Sequence, residues 1–114
     1  MDVGASSGLY TIELAKISEH CFSFEPIIEE YINLKKIVNK NVKLFNYALS
    51  DKNENQYLNI PIQMNQQENP RASLKNTFQN QVKVKVKTIK FEDLKNNEIQ
   101  KKQFKKIDFI KIDV

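Results

Sequence analysis

MDVGASSGLY, residues 1–10, is the stretch that decides the fold of this chain. Asp2 is followed by Gly4 and then Gly8, a pattern that predicts a strand end, a tight backbone loop and a helix start. Glycine accepts positive φ and has no Cβ, so such a loop lets the backbone approach a nucleoside-containing cofactor closely. The chain has only 2 glycines and both lie in this loop. This concentration favours a cofactor-binding loop over an ordinary strand-to-helix turn.

A second acid occurs where the next strand is expected to end. Glu25 follows Gly8 by 17 positions and ends the short apolar run Cys21–Phe24. An acid at the tip of the second strand of such a unit is where a ribose diol is held. A helix dipole also favours a surface acid at a helix start. From the residues alone, both interpretations of Glu25 stay open.

Strands and helices alternate in the first part of the chain. Apolar spacing predicts helices over residues 8–17 and 26–40, with Pro26 in the first turn of the second helix. Short apolar runs predict strands at 20–24 and at Val42–Phe45. Strand–helix–strand–helix–strand order implies a parallel sheet with right-handed crossovers. The predicted fold class is therefore α/β, with parallel core strands and helices on both faces.

The pattern changes after the third strand. Tyr57–Ile62 alternates as a strand does, and Pro61 makes a central position in a sheet unfavourable. Residues 63–72 are polar and predict a mobile loop. Residues 81–91 alternate apolar residues with lysines, which predicts a half-exposed strand whose lysine face protects a sheet edge. Ile107–Val114 is predicted as a fourth core strand.

Composition limits the classes of protein to consider. The 114 residues suffice for one small domain, and the net charge of +4 does not by itself imply nucleic acid. The lysine strand lacks interleaved aromatic residues apart from Phe91, so no nucleic-acid partner is expected. No apolar run approaches the ~20 residues of a membrane helix. The single cysteine, Cys21, favours a reducing, cytoplasmic location, and neither it nor His20 has partners at metal-ligand spacing.

Two familiar phosphate-binding loops do not fit the opening segment. The dinucleotide fingerprint needs glycines at the first, third and sixth loop positions, but Ser6 stands third from Gly4. A P-loop needs a Gly-Lys-Ser/Thr sequence, which does not follow here. An oxidoreductase with a degenerate NAD(P)-binding loop remains an alternative.

Four blocks of this chain carry a family resemblance: 2–11 (DVGASSGLYT), 24–26 (FEP), 48–52 (ALSDK) and 107–114 (IDFIKIDV). Together and in this order they resemble the FkbM-type methyltransferases, a group of class I S-adenosylmethionine-dependent enzymes. The resemblance implies a partial Rossmann-like methyltransferase sheet with extra edge strands. It also implies that residues 1–114 are one partial domain, cut at both ends and holding the cofactor-binding half.

The resemblance also implies which residues contact S-adenosylmethionine. The implied cofactor-binding residues are Asp2, Gly4, Ala5, Gly8, Glu25, Tyr47 and Ala48. Gly4 and Gly8, with the backbone between them, would cradle the methionine part, and Asp2 would lie beneath the loop and help to fix it. Glu25 would accept hydrogen bonds from both ribose hydroxyls, because a carboxylate has two acceptor oxygens. Tyr47 and Ala48 would border the adenine.

Asp113 is the implied catalytic residue, at the tip of the fourth strand and facing the sulfonium methyl and the acceptor. The implied reaction is methyl transfer to an oxygen of a small molecule or sugar, without a metal. Because little of the acceptor site is present, the fragment alone is expected to be inactive. A non-catalytic fragment that keeps the methyltransferase shape is the other alternative.

Overall fold

Short strands and helices alternate along the computed structural model, which describes residues 1–61, 81–96 and 106–113. In chain order the elements are β1 (Asp2–Val3), α1 (Leu9–Ile17), β2 (Cys21–Phe24), α2 (Ile28–Ile37), β3 (Val42–Phe45), β4 (Ala48–Ser50), β5 (Asn55–Pro61), β6 (Gln81–Lys90), α3 (Phe91–Leu94) and β7 (Lys111–Ile112). The first five elements follow the predicted alternation, and β3 has the predicted bounds.

Four strands form a parallel sheet in the order β3-β2-β1-β7. The central strand β1 pairs with a neighbour on each side, so that Asp2 lies opposite Ser23 of β2 and Lys111 of β7. The helices α1 and α2 pack against β2 and β3. The predicted α/β fold with a parallel, Rossmann-like core is confirmed. Its consequence is that the carboxyl ends of β1, β2 and β7 meet at one edge of the sheet.

The start of α2 differs from the prediction. Pro26 was expected in the first helical turn, but the helix begins at Ile28, with Ile27 as the capping residue in an extended conformation. The cause is the Glu25 carboxylate, which accepts the backbone N–H of Ile27 at 2.9 Å and so holds that residue outside the helix. The helix buries Leu34 and carries acids in its first turn and lysines in its last, as the helix dipole favours.

The core beside the first sheet consists largely of aromatic side chains. Phe22, Phe24, Phe45 and Leu94 form one buried cluster. The rings of Phe24 and Phe45 stack with centroids 5.0 Å apart and an interplanar angle of 12°, a separation typical of favourable aromatic pairs. Because Leu94 belongs to α3, this late helix shares the core of the first sheet.

The lysine-rich strand does not protect a sheet edge, so that prediction is wrong. β6 is the middle strand of a three-stranded sheet with the order β4-β6-β5. The short strand β4 pairs with it in parallel, Ala48 lying opposite Thr88, so the extra strands form a sheet of their own. The predicted alternation is confirmed, since lysines 83, 85 and 87 are exposed while Val86 and Thr88 are buried. Pro61 ends β5, an outer strand, as predicted.

The fourth core strand is shorter than predicted. Among the described residues 107–113 of the predicted 107–114, only Lys111–Ile112 is strand, and residues 106–110 have no regular structure. The loop predicted at 63–72 lies outside the described residues. The chain divides into two compact units, Met1–Asn55 with Val86–Val114, and Gln56–Lys85. Within the described ranges, no helix has the length and apolar character needed to cross a membrane.

Candidate functional site

The loop between β1 and α1 turns sharply through positive φ. Gly4 has φ of 81°, Ser6 47° and Gly8 85°, values that are costly for residues with a side chain. The backbone N–H groups of Gly4 and Ala5 both donate to the carbonyl of Phe24, at 3.0 and 2.9 Å. Ala5 itself is buried and accepts the N–H of Gly8 at 2.8 Å. The loop is therefore fastened over the carboxyl end of β2.

Both glycines also have a packing role. A Cβ at Gly4 would lie 2.5 Å from the backbone oxygen of Asp113, so β7 passes this close only because no side chain is present. A Cβ at Gly8 would overlap Cδ2 of Leu34, so glycine there lets α2 approach the start of α1. The two glycines thus bring β7 and α2 close to the loop.

Glu25 connects the loop to the start of α2. Its side chain is buried, and Oε2 accepts the backbone N–H of Ser6 at 2.7 Å while Oε1 accepts that of Ile27 at 2.9 Å. The Asn46 amide donates to the carbonyl of Glu25 at 2.9 Å, which fixes the backbone at this point. A carboxylate oxygen has about two acceptor positions. Each oxygen of Glu25 therefore retains capacity for a further donor such as a hydroxyl.

Asp2 is the centre of a buried polar cluster beneath the loop. It is fully buried, and its Oδ2 accepts the hydroxyl of Thr11 at 2.6 Å. Thr11 in turn lies 2.9 Å from the hydroxyl of Ser23, so the cluster ties α1 to β1 and β2. The other carboxylate oxygen, Oδ1, lies 3.1 Å from Nζ of Lys111 but accepts no hydrogen bond from the residues the structure describes. One carboxylate oxygen of Asp2 therefore accepts a hydrogen bond, and the other is paired only with the charge of Lys111.

Lys111 is the residue of this site that sequence reasoning missed. Its ammonium donates to the carbonyl of Gly4 at 3.0 Å, and it lies 4.9 Å from the ring centroid of Tyr10. The side chain is only 16% exposed, which is unusual for lysine unless the charge is paired. The available signal was a lone lysine inside the apolar run 109–112. Its partner Asp2 is 109 positions away, so only the register of β7 against β1 identifies the pair.

Asp113 lies where β7 ends, next to the loop. Its backbone N–H donates to the carbonyl of Val3 at 2.9 Å. Its carboxylate is 74% exposed and lies 3.8 Å from Nζ of Lys111. The structure thus brings Gly4, Glu25 and Asp113 to the same edge of the parallel sheet. Ligands of open α/β sheets bind at this carboxyl edge.

Tyr47 and Ala48 follow the carboxyl end of β3. Tyr47 is partly buried and packs against the aromatic core cluster, and Ala48 begins β4. Both are thus fixed by packing or strand pairing near the sheet edge that carries Glu25. Their predicted place beside an adenine stays a prediction.

A cavity of about 580 Å³ lies at the opposite edge of the first sheet. It is lined by Glu19, His20, Phe22, Lys40, Asn41, Val42 and Lys43. These residues precede or begin β2 and β3, so the cavity is at the amino ends of the strands, away from the loop. No group of three or more potential metal-binding side chains occurs within 1–61, 81–96 and 106–113. The candidate site is the edge formed by the loop, Glu25 and the end of β7, because the positive-φ loop, its contact with Glu25 and the backbone of Asp113 meet there.

Comparison with known proteins gives a match over almost the whole chain. A family described as the methyltransferase FkbM domain matches residues 2–114. The matched range includes the β1–α1 loop, Glu25 and Asp113, and therefore every residue of the candidate site. No curated protein and no solved structure matches the chain. The structure thus provides the geometry of the site, and the family match provides the class of reaction.

Proposed function

The chain belongs to the methyltransferase FkbM family, and on this premise we propose that it binds S-adenosylmethionine and serves methyl transfer to a hydroxyl oxygen of a small molecule or sugar. Membership supports methyl transfer as the reaction class. The geometry of the site supports the cofactor and the roles of individual residues, and the acceptor class is proposed from the family resemblance alone.

The observation that carries the proposal is the contact between Glu25 and the loop. Its Oε2 lies 2.7 Å from the backbone nitrogen of Ser6, so the acid that would hold a ribose borders the loop that would hold the methionine part. Asp2 lies fully buried beneath the same loop, and its Oδ1 is 3.1 Å from the ammonium of Lys111, which places a cation beside the part of the loop that would hold the amino-acid end of the ligand. These features support an adenosyl amino acid as the ligand.

When bound, the cofactor supplies a methyl group already activated on a sulfonium. The task of the chain's own residues is then to hold and orient. Orientation of reacting groups can contribute ~7–11 kcal/mol to lowering a barrier. Glu25 and the loop would fix the donor end. Asp113, exposed and adjacent to the loop, would accept the hydroxyl proton or orient the acceptor, a role that typically gives ~10²–10⁴-fold in rate.

Calorimetric titration of the chain with S-adenosylhomocysteine and, separately, with NAD tests the cofactor assignment. We expect S-adenosylhomocysteine to bind and NAD not to bind. Binding of NAD alone would favour the oxidoreductase alternative, and binding of neither ligand would favour a non-catalytic fragment. Glu25→Gln is expected to weaken binding of S-adenosylhomocysteine, whereas Glu29→Gln, a change of an exposed acid in the first turn of α2, should not.

A further inference from the structure

Lys111 and Asp2 form a buried ion pair across two strands of the parallel sheet. They lie opposite each other in register, and Nζ of Lys111 is 3.1 Å from Oδ1 of Asp2. Asp2 is fully buried, while the lysine side chain keeps 16% of its surface exposed. Of the two charged groups, only the ammonium of Lys111 can be reached from outside.

The ammonium is held at the base of the β1–α1 loop. It donates to the carbonyl of Gly4 at 3.0 Å and lies 4.9 Å from the centroid of the Tyr10 ring, a favourable cation–π distance. A lysine ammonium has three N–H groups. The Gly4 carbonyl accepts one, and Asp2 attracts the charge from below. The exposed carboxylate of Asp113 lies 3.8 Å from Nζ, beyond hydrogen-bond distance, so an N–H group remains for a ligand.

We propose that Lys111 binds the carboxylate at the amino-acid end of the cofactor, with Asp2 as its buried counter-ion. This inference rests on the proposed function, because it needs an adenosyl amino acid in the site. It alters the expected role of Asp2, which supports the binding cation and is too deeply buried to contact the ligand itself. A lysine placed in this way prefers ligands with a free carboxylate over otherwise identical ligands without one.

A comparison of two ligands on two proteins tests this assignment. S-adenosylmethionine and decarboxylated S-adenosylmethionine differ by the carboxylate. The unaltered chain should bind the first about 10- to 100-fold more tightly, the range for a hydrogen bond to a charged group. The preference should disappear in the Lys111→Met variant, whereas the Lys111→Arg variant, which keeps the positive charge, should retain it. Lys106→Met, which removes an exposed lysine paired with Asp108, is the matched control and should keep the full preference.

Each outcome has a distinct meaning. Equal weakening of both ligands by Lys111→Met would show that the lysine only supports the fold, and would overturn the inference. Equal affinity of the unaltered chain for both ligands would overturn it as well, even if Lys111→Met does not fold. Failure of the unaltered chain to bind either ligand would instead reject the proposed function, and this inference with it.

Discussion

The carboxylate of Glu25 accepts the backbone N–H of Ser6 at 2.7 Å, which joins the end of β2 to the loop that follows β1. The same carboxylate accepts the N–H of Ile27 through its other oxygen. The acid that the sequence singled out as a ligand residue is therefore also a structural link. Its loss should affect stability as well as binding.

Replacing Glu25 by alanine should destabilise the fold markedly. The change leaves two backbone N–H groups without their charged acceptor, and each such hydrogen bond is worth about 1.5–3 kcal/mol. We expect the free energy of unfolding, measured by urea denaturation, to fall by about 3 kcal/mol or more. Glu29→Ala, at an exposed position of α2, should cost less than about 1 kcal/mol. Similar losses for the two variants would contradict the structural role of Glu25.

The hydroxyl of Thr11 should contribute more to the free energy of unfolding than its methyl group does. Thr11 is fully buried and its hydroxyl lies between Asp2 and Ser23. Thr11→Val keeps the shape but removes the donor to a buried carboxylate, at an expected cost of about 2–3 kcal/mol in unfolding free energy. Thr11→Ser keeps the hydroxyl and should cost about 1 kcal/mol for the lost methyl group. Thermal or urea unfolding of both variants checks this order, and the reverse order would contradict it.

Gly8→Ala should be destabilising for two separable reasons. The residue has φ of 85°, which costs an alanine about 1 kcal/mol, and the new Cβ would overlap the side chain of Leu34. We expect the second part to vanish when Leu34 is also replaced by alanine. The double variant should then lose less unfolding free energy than the sum of the losses in the two single variants. Simple additivity would show that the overlap is relieved elsewhere.

Asp113→Asn should separate catalysis from binding. The carboxylate is 74% exposed, so we expect little change in unfolding free energy and an unchanged affinity for S-adenosylhomocysteine. The rate of S-adenosylhomocysteine formation in an active form of the enzyme should fall by roughly 10²–10⁴-fold. A loss of cofactor affinity as large as that of Glu25→Gln would assign Asp113 to binding instead.

The first three strands and two helices could be predicted because their signals are local. Apolar runs and helical spacing lie within each element, and β3 was predicted at its observed bounds. The start of α2 could not be predicted in this way, because it involves a hydrogen bond from the backbone N–H of Ile27 to the carboxylate of Glu25, the residue before Pro26. The lysine-rich strand was predicted as a sheet edge because its alternating lysines form an exposed face of the kind that protects edges. Its central position depends on a pairing between distant segments.

The candidate site shows the same division between local and distant information. Asp2, the glycines and Glu25 form recognisable short patterns, and the structure brings them together with Asp113. Lys111 was missed, because nothing near it in the sequence indicates a partner. Its role depends on the register that places it opposite Asp2. No pattern within either strand indicates that register.

The most direct test of the central claim follows the backbone amide signals of the chain by NMR during addition of S-adenosylhomocysteine. The account predicts saturable shifts at Gly4, Ser6, Gly8 and Glu25, together with the end of β7. Shifts confined to His20, Lys40 and their neighbours around the cavity at the amino ends of the strands, or no shifts at all, would contradict it.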